Sequence, residues 1–221
     1  MGLNIGGAPV NTDFGNLRWK PDDTRPNVAW ILDDASEIAW GAFYGVFMGK
    51  GQFNASWVGA GVGKGDAADK IAKELGLIGS KVQGRTASMN AWVHVAVKNS
   101  DGSYSVKLWQ VSKGNHGIIN GWAQDGVDLA GYPITVTKTG GKWVLQPSVG
   151  AKNKPLTGVE LDELRAQRMT EEDMLKMLGA GTEDEIKAEL IRRSGGTNWN
   201  DVRAIVGLPP VELGGEYEEY E

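Results

Sequence analysis

Two hydrophobic patterns divide the chain. Between residues 27 and 147, short runs of β-branched and aromatic residues, several of them alternating with polar residues, are separated by Gly, Asn and Asp, which is typical of β-strands. After about residue 150, apolar residues recur at helical spacing, and Thr170 and Thr182 each precede acidic residues in the manner of a helix N-terminus. The pattern predicts a mainly β fold followed by an α-helical appendage.

A hairpin in the middle of the chain gives the clearest strand signal. The segment Met89–Lys98 alternates, with Trp92 and His94 on one face. Asp101-Gly102 suits a tight turn, and Tyr104–Val111 leads back along the first strand. These two segments are therefore predicted to pair.

Further strands and helices follow from shorter signals. A second hairpin is predicted around Gly140-Gly141, joining Pro133–Lys138 to Lys142–Gln146, and Asp66 suits the N-cap of a short helix. The other predicted strands are Val28–Leu32, Ile38–Met48 and Asn54–Ala60, and the predicted helices within the β region are Ala67–Leu75 and Ser112–Trp122.

The composition allows a folded protein and excludes cysteine chemistry. With 221 residues, 41% of them hydrophobic, the chain can bury a core and form one domain with an appendage or two small domains. The absence of cysteine excludes disulfides, thiolate catalysis and cysteine-ligated zinc. The longest apolar runs fall short of the roughly 20 residues of a membrane-spanning helix, and the N-terminus does not resemble a signal peptide. We therefore expect a cytoplasmic protein without membrane contact.

Charge is distributed unevenly along the chain. Residues 1–150 contain 14 Lys and Arg against 12 Asp and Glu, a net charge of +2, whereas residues 151–221 contain 9 against 16, a net charge of −7. The last ten residues, 212–221, hold five glutamates and no basic residue. A basic body with an acidic end indicates nucleic-acid contact with a partner-binding tail. The alternative is that the acidic end only keeps the protein soluble.

Motifs for catalysis and phosphate binding are incomplete. The glycine-rich segment 59–65 resembles a phosphate-binding loop, but Val58 and Gly65 stand where a Walker loop requires Gly and then Ser or Thr. A flexible loop is therefore predicted. The two histidines, His94 and His116, lie in no metal-binding or triad pattern, and His94 is expected to be a structural residue. We expect no enzymatic activity, no metal and no cofactor.

Aromatic residues lie next to basic residues throughout the β region. Single-stranded nucleic acid is bound in this way, because bases stack on aromatic faces while Lys and Arg contact phosphates. The predicted stacking residues are Trp40, Tyr44, Phe53, Trp57, Trp92 and Trp109, and the predicted phosphate-binding residues are Lys20, Arg25, Lys50, Lys64, Arg85, Lys98, Lys107 and Lys113. The alternative is that most of these aromatics are core residues, the role we assign to Trp30 and Trp122.

Several segments follow one another in a recognisable order. Residues 16–23 (NLRWKPDD) precede 27–32 (NVAWIL), and residues 89–122 contain the central hairpin and the helix predicted after it. Residues 127–148 (VDLAGYPITVTKTGGKWVLQPS) form the last predicted hairpin. In this order the chain resembles phage single-stranded DNA-binding proteins of the T-even helix-destabilising family, including that family's helical and acidic C-terminal region. T-even members also carry a Cys/His zinc module, which this sequence lacks.

The resemblance implies an OB-fold-like small β-barrel at residues 17–150, with a groove for single-stranded DNA. A flexible arm at 1–16 would precede it, and a helical region at 151–207 and a disordered acidic tail at 208–221 would follow. The implied function is sequence-independent single-stranded DNA binding in phage replication, recombination and repair, in the host cytoplasm. The tail would compete with DNA or recruit replication or recombination proteins through Glu212, Glu216, Glu218, Glu219 and Glu221, and self-association along DNA is expected.

Interpretations from other classes remain open. A phage structural or assembly protein, such as a capsid decoration or adaptor module, would use the same aromatics as a protein interface. It would form homo-oligomers and would not respond to nucleic acid. A small hydrolase or nuclease has the least support, because carboxylates and histidines are not clustered in the sequence.

Overall fold

The structure is a computed structural model that describes residues 16–47, 54–78, 85–148, 150 and 152–212. Its strands are antiparallel and belong to a sheet that is not closed. The strands are β1 (Asn27–Ile31), β2 (Ala39–Phe47), β3 (Asn54–Gly59), β4 (Arg85–Lys98), β5 (Tyr104–Ser112), β6 (Pro133–Thr139) and β7 (Lys142–Pro147). The helices are α1 (Ala67–Glu74), α2 (Lys113–Gln124), α3 (Gly158–Ala166), α4 (Glu171–Met177), α5 (Glu183–Ser194) and α6 (Trp199–Ile205).

The mainly β fold with helices near the C-terminal end is confirmed. Both predicted hairpins are present, since β4 pairs with β5 and β6 pairs with β7. The predicted caps also hold, because Asp66 accepts from the backbone of α1 and Thr182 forms a capping box with Glu185. The OB-fold-like barrel is not confirmed, because the sheet is not closed.

The chain forms two compact units, each drawn from distant parts of the sequence. Unit 1 takes its described residues from Met1–Gly41 and Met89–Met177, and unit 2 from Ala42–Ser88 and Leu178–Glu221. This division differs from the predicted β domain at 17–150 and helical region at 151–207. Helices α3 and α4 belong to unit 1, whereas α5 and α6 belong to unit 2, so the C-terminal helices contribute to two different cores.

In unit 1 the sheet is covered on both faces. Strand β4 lies between β5 and β1, and β6 and β7 follow β1. On one face Val93 and Trp109 pack with Ile119 of α2. On the other, Trp30 packs with Leu156 and with Leu164 of α3. Alternation along β4 therefore separates two buried faces rather than a buried face from an exposed one.

Gly131 fixes the chain segment that leads to α3. Its N–H donates to the Ile31 carbonyl at 2.7 Å, and its carbonyl accepts from the Leu156 N–H at 3.0 Å. Its φ is +81°, and a Cβ here would lie 2.1 Å from the Leu156 carbonyl oxygen. Only glycine fits this position, because a side chain would collide with the backbone.

In unit 2 the β2–β3 hairpin packs against helices. Helix α1 and helix α5 contact each other and β3, and α5 also contacts α6. The Trp57 indole N–H donates to the Ala68 carbonyl at 3.2 Å, and the Tyr44 hydroxyl donates to the Asp69 carboxylate at 2.9 Å. These hydrogen bonds give a partner to polar atoms that would otherwise be buried without one.

Two carboxylates hold the glycine-rich segment 59–65, in contrast to the predicted flexible loop. Asp69 accepts from Gly63 N–H at 2.7 Å and from Gly65 N–H at 3.0 Å, and Asp66 accepts from Ala60 N–H. Burial acts to raise the pKa of Asp69, but these backbone hydrogen bonds and the one from the Tyr44 hydroxyl act in the opposite direction and outweigh it. The pKa of Asp69 therefore lies below its ordinary value. Because carboxylates accept from the N–H groups of Ala60, Gly63 and Gly65, these three amides are not free to bind a phosphate.

In the part of the chain that the structure describes, no helix combines the length and apolarity needed to cross a lipid bilayer.

Candidate nucleic-acid interface

Four of the six predicted stacking residues are buried. The side chains of Tyr44, Trp57, Trp92 and Trp109 are at most 4% exposed. Trp109 packs edge-on against Trp19, with ring centroids 5.2 Å apart. The structure contradicts the stacking prediction for these four residues, because a buried ring has no face to offer a base. The alternative that most aromatics are core residues holds for them, and it holds for Trp30, at 3% exposure.

Trp40 is the exception among the predicted stacking residues with described side chains. It is 39% exposed and stacks on His116, with ring centroids 4.6 Å apart and an interplanar angle of 20°. Burial lowers the pKa of His116 below its ordinary value, so this imidazole is neutral at pH 7.

Helix α2 positions the partner of Trp40. Ser112 caps the helix, and the buried side chains of Asn115 and Ile119 anchor it to the unit 1 core. Lys113 lies three positions before His116, which places the two residues on neighbouring positions of the helix surface. We call Trp40, His116 and Lys113 the aromatic platform. Sequence reasoning missed His116, although the spacing of Lys113 and His116 after a capping serine was visible.

The predicted phosphate-binding residues differ in their exposure and in whether they already bind a group of the protein. Among the described residues, Lys20, Lys64, Lys98 and Lys113 are exposed and make no ion pair. Arg25 pairs with Asp22 at 3.0 Å. Lys107 is half-buried and donates to the Asn16 carbonyl, so part of its hydrogen-bonding capacity is used within the protein.

Several predicted residues lie outside the described part of the structure. These are Lys50, Phe53 and the tail residues Glu216, Glu218, Glu219 and Glu221, and the same holds for the side chain of Arg85. Glu212, the first glutamate of the predicted tail, is described and exposed. Trp122, assigned to the core, is half-buried and packs against the unit 1 core.

Unit 1 also contains a polar cavity that sequence reasoning missed. Its volume is about 520 Å³, and Asp33 and His94 form one of its walls. The Asp33 carboxylate is 1% exposed and accepts from the His94 backbone N–H at 2.6 Å, while Nδ1 of His94 lies 3.0 Å from Asp33 Oδ1. His94 is buried and contacts Asp33, which lies 61 residues away in the sequence, where no local pattern connects the two.

Arg165, in the last turn of α3, and Arg168, just after that helix, complete this wall. Arg168 donates to Asp33 at 3.0 Å and to Glu37 at 2.6 Å. Arg165 donates to Glu37 at 2.9 Å and to Asp34 at 2.9 Å. The hydrogen bond from Arg168, together with the charge of both arginines, lowers the pKa of Glu37 to about 2. We call Asp33, Asp34, Glu37, Arg165 and Arg168 the arginine–carboxylate network.

Within the described residues, His, Asp and Glu side chains form no group of three or more that could hold a metal ion.

No family model matches the chain, and no curated protein matches it.

Proposed function

We propose that this protein binds single-stranded DNA with little dependence on base sequence. The observation that carries the proposal is the aromatic platform of unit 1, an exposed indole stacked on an imidazole with an unpaired lysine one helical turn away. Stacking of a base on an aromatic side chain contributes about 1–3 kcal/mol, and every base has a face that can stack.

The platform is built to hold the Trp40 ring in one orientation. His116 covers one face of the indole, and the helix that carries His116 is anchored by buried side chains. A ring that is already fixed loses little conformational entropy when a base stacks on it. Lys113 supplies a positive charge for the phosphate next to that base.

The charge distribution supports a role in DNA metabolism. Lys20 and Lys98, also in unit 1, are exposed and make no ion pair among the described residues, so both can contact phosphates. Together with the acidic end of the chain, this fits a phage protein of replication, recombination or repair with an OB-like core. In that role the C-terminal glutamates recruit partner proteins or compete with DNA.

A titration of labelled oligo(dT) by fluorescence anisotropy tests the proposal. We expect tight binding that weakens with salt and that duplex DNA of matching length does not displace. Lys113→Ala should reduce the slope of log K against log salt by about 0.7, the value for one phosphate contact on a single strand. Lys152→Ala is the control, because Lys152 is also exposed and unpaired among the described residues but lies outside the platform.

Absence of binding at low salt, by both the full chain and a variant ending at residue 211, would overturn the proposal. A structural or assembly protein would then be the better interpretation, with the platform as its protein interface. An unchanged salt slope in Lys113→Ala would remove Lys113 from the site.

A further inference from the structure

We propose that Arg18 and Gln110 form a phosphate-binding site beside β5, at the edge of the unit 1 sheet. Arg18 is not among the phosphate-binding residues predicted from the sequence, and neither side chain belongs to the aromatic platform. The inference deepens the proposed function, and it rests on that function for the source of the phosphate, the backbone of a bound single strand.

The backbone that carries Arg18 is attached to the sheet. Arg18 forms a parallel bridge with Leu108 of β5, and the N–H of Trp19 donates to the Leu108 carbonyl at 2.9 Å. The Trp19 ring then packs against Trp109 of the same strand. Arg18 therefore extends its side chain from a fixed position, which reduces the entropy lost when a ligand binds.

The guanidinium of Arg18 is partly withdrawn from water without an acid to balance its charge. Arg18 is half-buried, and burial lowers its pKa below the ordinary value, although a guanidinium stays protonated at pH 7. Among the described residues Arg18 makes no ion pair, and its Nη2 donates to the neutral Gln110 side chain, with Oε1 at 2.5 Å. Because charges that lose contact with water are normally paired in proteins, an anion suits this position.

The two side chains together present mainly hydrogen-bond donors. A guanidinium has five N–H donors and no acceptor, and the amide oxygen of Gln110 faces Arg18, which leaves the amide N–H₂ group for a ligand.

These donors are also within reach of a ligand. Nε and Nη1 of Arg18 and Nε2 of Gln110 have no partner among the described residues. The side-chain polar atoms that are buried without a partner in this part of the chain belong instead to Trp92, His94 and Trp199. A phosphate carries only acceptors, and it binds the fork of an arginine through two parallel hydrogen bonds.

The segments around the site carry positive charge and no negative charge. Residues 16–20, 89–98 and 104–112 contain no aspartate or glutamate, and their four basic residues are Arg18, Lys20, Lys98 and Lys107. No carboxylate of these segments competes with a phosphate for the guanidinium. Arg165 and Arg168 differ in this respect, because both are bound to carboxylates of the arginine–carboxylate network.

Nitrogen NMR of the arginine Nε–H groups in the full chain tests the inference. Oligo(dT) should shift the Nε–H resonance of Arg18, and inorganic phosphate should also shift it at higher concentration. Sodium chloride at the same ionic strength should not. Arg192 is the internal control, because it is paired with Glu189 at 2.8 Å in unit 2. The resonances are assigned through their bonded carbons, so the measurement needs no variant.

Substitutions at Arg18 separate its charge from its shape. Arg18→Gln should lower the slope of log K against log salt for oligo(dT) by about 0.7, the value for one phosphate contact on a single strand. Arg18→Lys keeps the charge but not the fork, so the slope should stay the same while Kd rises roughly threefold or more. Arg192→Gln removes the same charge from a paired arginine and should change neither quantity.

The outcomes distinguish this inference from the proposed function. If neither oligo(dT) nor inorganic phosphate moves the Arg18 resonance, the inference is wrong, and the proposed function still stands if oligo(dT) binds in the anisotropy titration. Equal shifts with sodium chloride, or equal shifts at Arg192, would also overturn it. If inorganic phosphate moves Arg18 but oligo(dT) does not bind, the phosphate site exists, its ligand is a free phosphate compound, and the single-stranded DNA function fails.

Discussion

At the scale of single residues, exposure distinguishes Trp40 from the aromatic residues that support the fold. Trp92 and Trp109 lie in the sheet of unit 1, whereas Trp40 stands at the start of β2 with its ring partly in solvent. A substitution at Trp40 therefore tests binding without opening a core. The same cannot be done at Trp109, whose removal would leave a cavity.

Trp40→Ala should weaken single-stranded DNA binding by about 1–3 kcal/mol, roughly a 5- to 150-fold increase in Kd, because one stacking contact is lost. Anisotropy titrations of the variant and the unsubstituted chain measure the change. Ile118→Ala is the control, because Ile118 is equally exposed at 39% and lies on α2 outside the platform. If both substitutions change Kd equally, Trp40 is not a stacking residue.

Glu37 should make stability depend on acid pH. Its pKa of about 2 in the folded protein lies below the ordinary 4.5, so its ionised form stabilises the fold above about pH 4.5. That contribution is lost as the pH falls toward 2, where the folded carboxylate becomes protonated. Glu37→Gln should therefore lower the free energy of unfolding by a constant amount above about pH 5, and the difference should shrink as the pH falls toward 2. Urea titrations at several pH values measure this difference; a difference that does not shrink toward low pH would contradict the prediction.

At the scale of elements, local signals in the sequence placed most strands and helices correctly. The turn Asp101-Gly102, the cap Asp66 and the capping box of Thr182 each depend on residues a few positions apart, and the structure has all three. Ser112 likewise caps α2, although the glycines of that segment argue against a helix. Elements set by neighbouring residues are accessible to sequence reasoning.

Local signals in the sequence could not predict which residues are buried or which residues from distant segments are in contact. Alternation along β4 was compatible with one exposed face, but residues from α2 cover one side and Leu156 and Leu164 cover the other. Trp92 is predicted to stack on bases because it lies near basic residues in the sequence, but it is buried. The Asp33–His94 contact and the two arginines come from three segments far apart in the sequence, so no spacing could predict the cavity.

Arg168→Ala should lower the free energy of unfolding by about 2–4 kcal/mol. Arg168 neutralises Asp33, which is 1% exposed, so removal of the arginine leaves a buried carboxylate without a cation. The loss is moderated because the Arg168 side chain is itself partly exposed. Arg192→Ala is the matched control, because Arg192 is 53% exposed and its partner Glu189 keeps a second arginine, Arg193. It should cost less than about 1 kcal/mol. Chemical denaturation followed by tryptophan fluorescence compares them, and equal losses would contradict the role given to Asp33.

At the scale of the whole molecule, the uneven charge gives the acidic end a defined role in the proposed function. Residues 151–221 carry a net charge of −7, and the last ten residues contribute five glutamates to it. A negative segment on the same chain competes with DNA for positive side chains, and salt screens this competition over about 10 Å at 0.1 M.

Removal of residues 212–221 should tighten single-stranded DNA binding at low salt and have little effect at high salt. It should also weaken any contact with partner proteins that the tail recruits. Replacing the five glutamates in this segment with glutamine keeps its length and is the control for charge. Equal affinity of the shortened and full chains at low salt would show that the tail does not compete with DNA.

The division into two units has a consequence for how the protein emerges from the ribosome. Unit 2 is built from Ala42–Ser88 and Leu178–Glu221, and all of Met89–Met177, which belongs to unit 1, is synthesised between these two parts. At about 5–20 residues per second, these roughly 90 residues take about 5–18 s. During that interval β3 and α1 lack α5, against which both pack in the folded unit, so their apolar surfaces stay exposed until the C-terminal part is made.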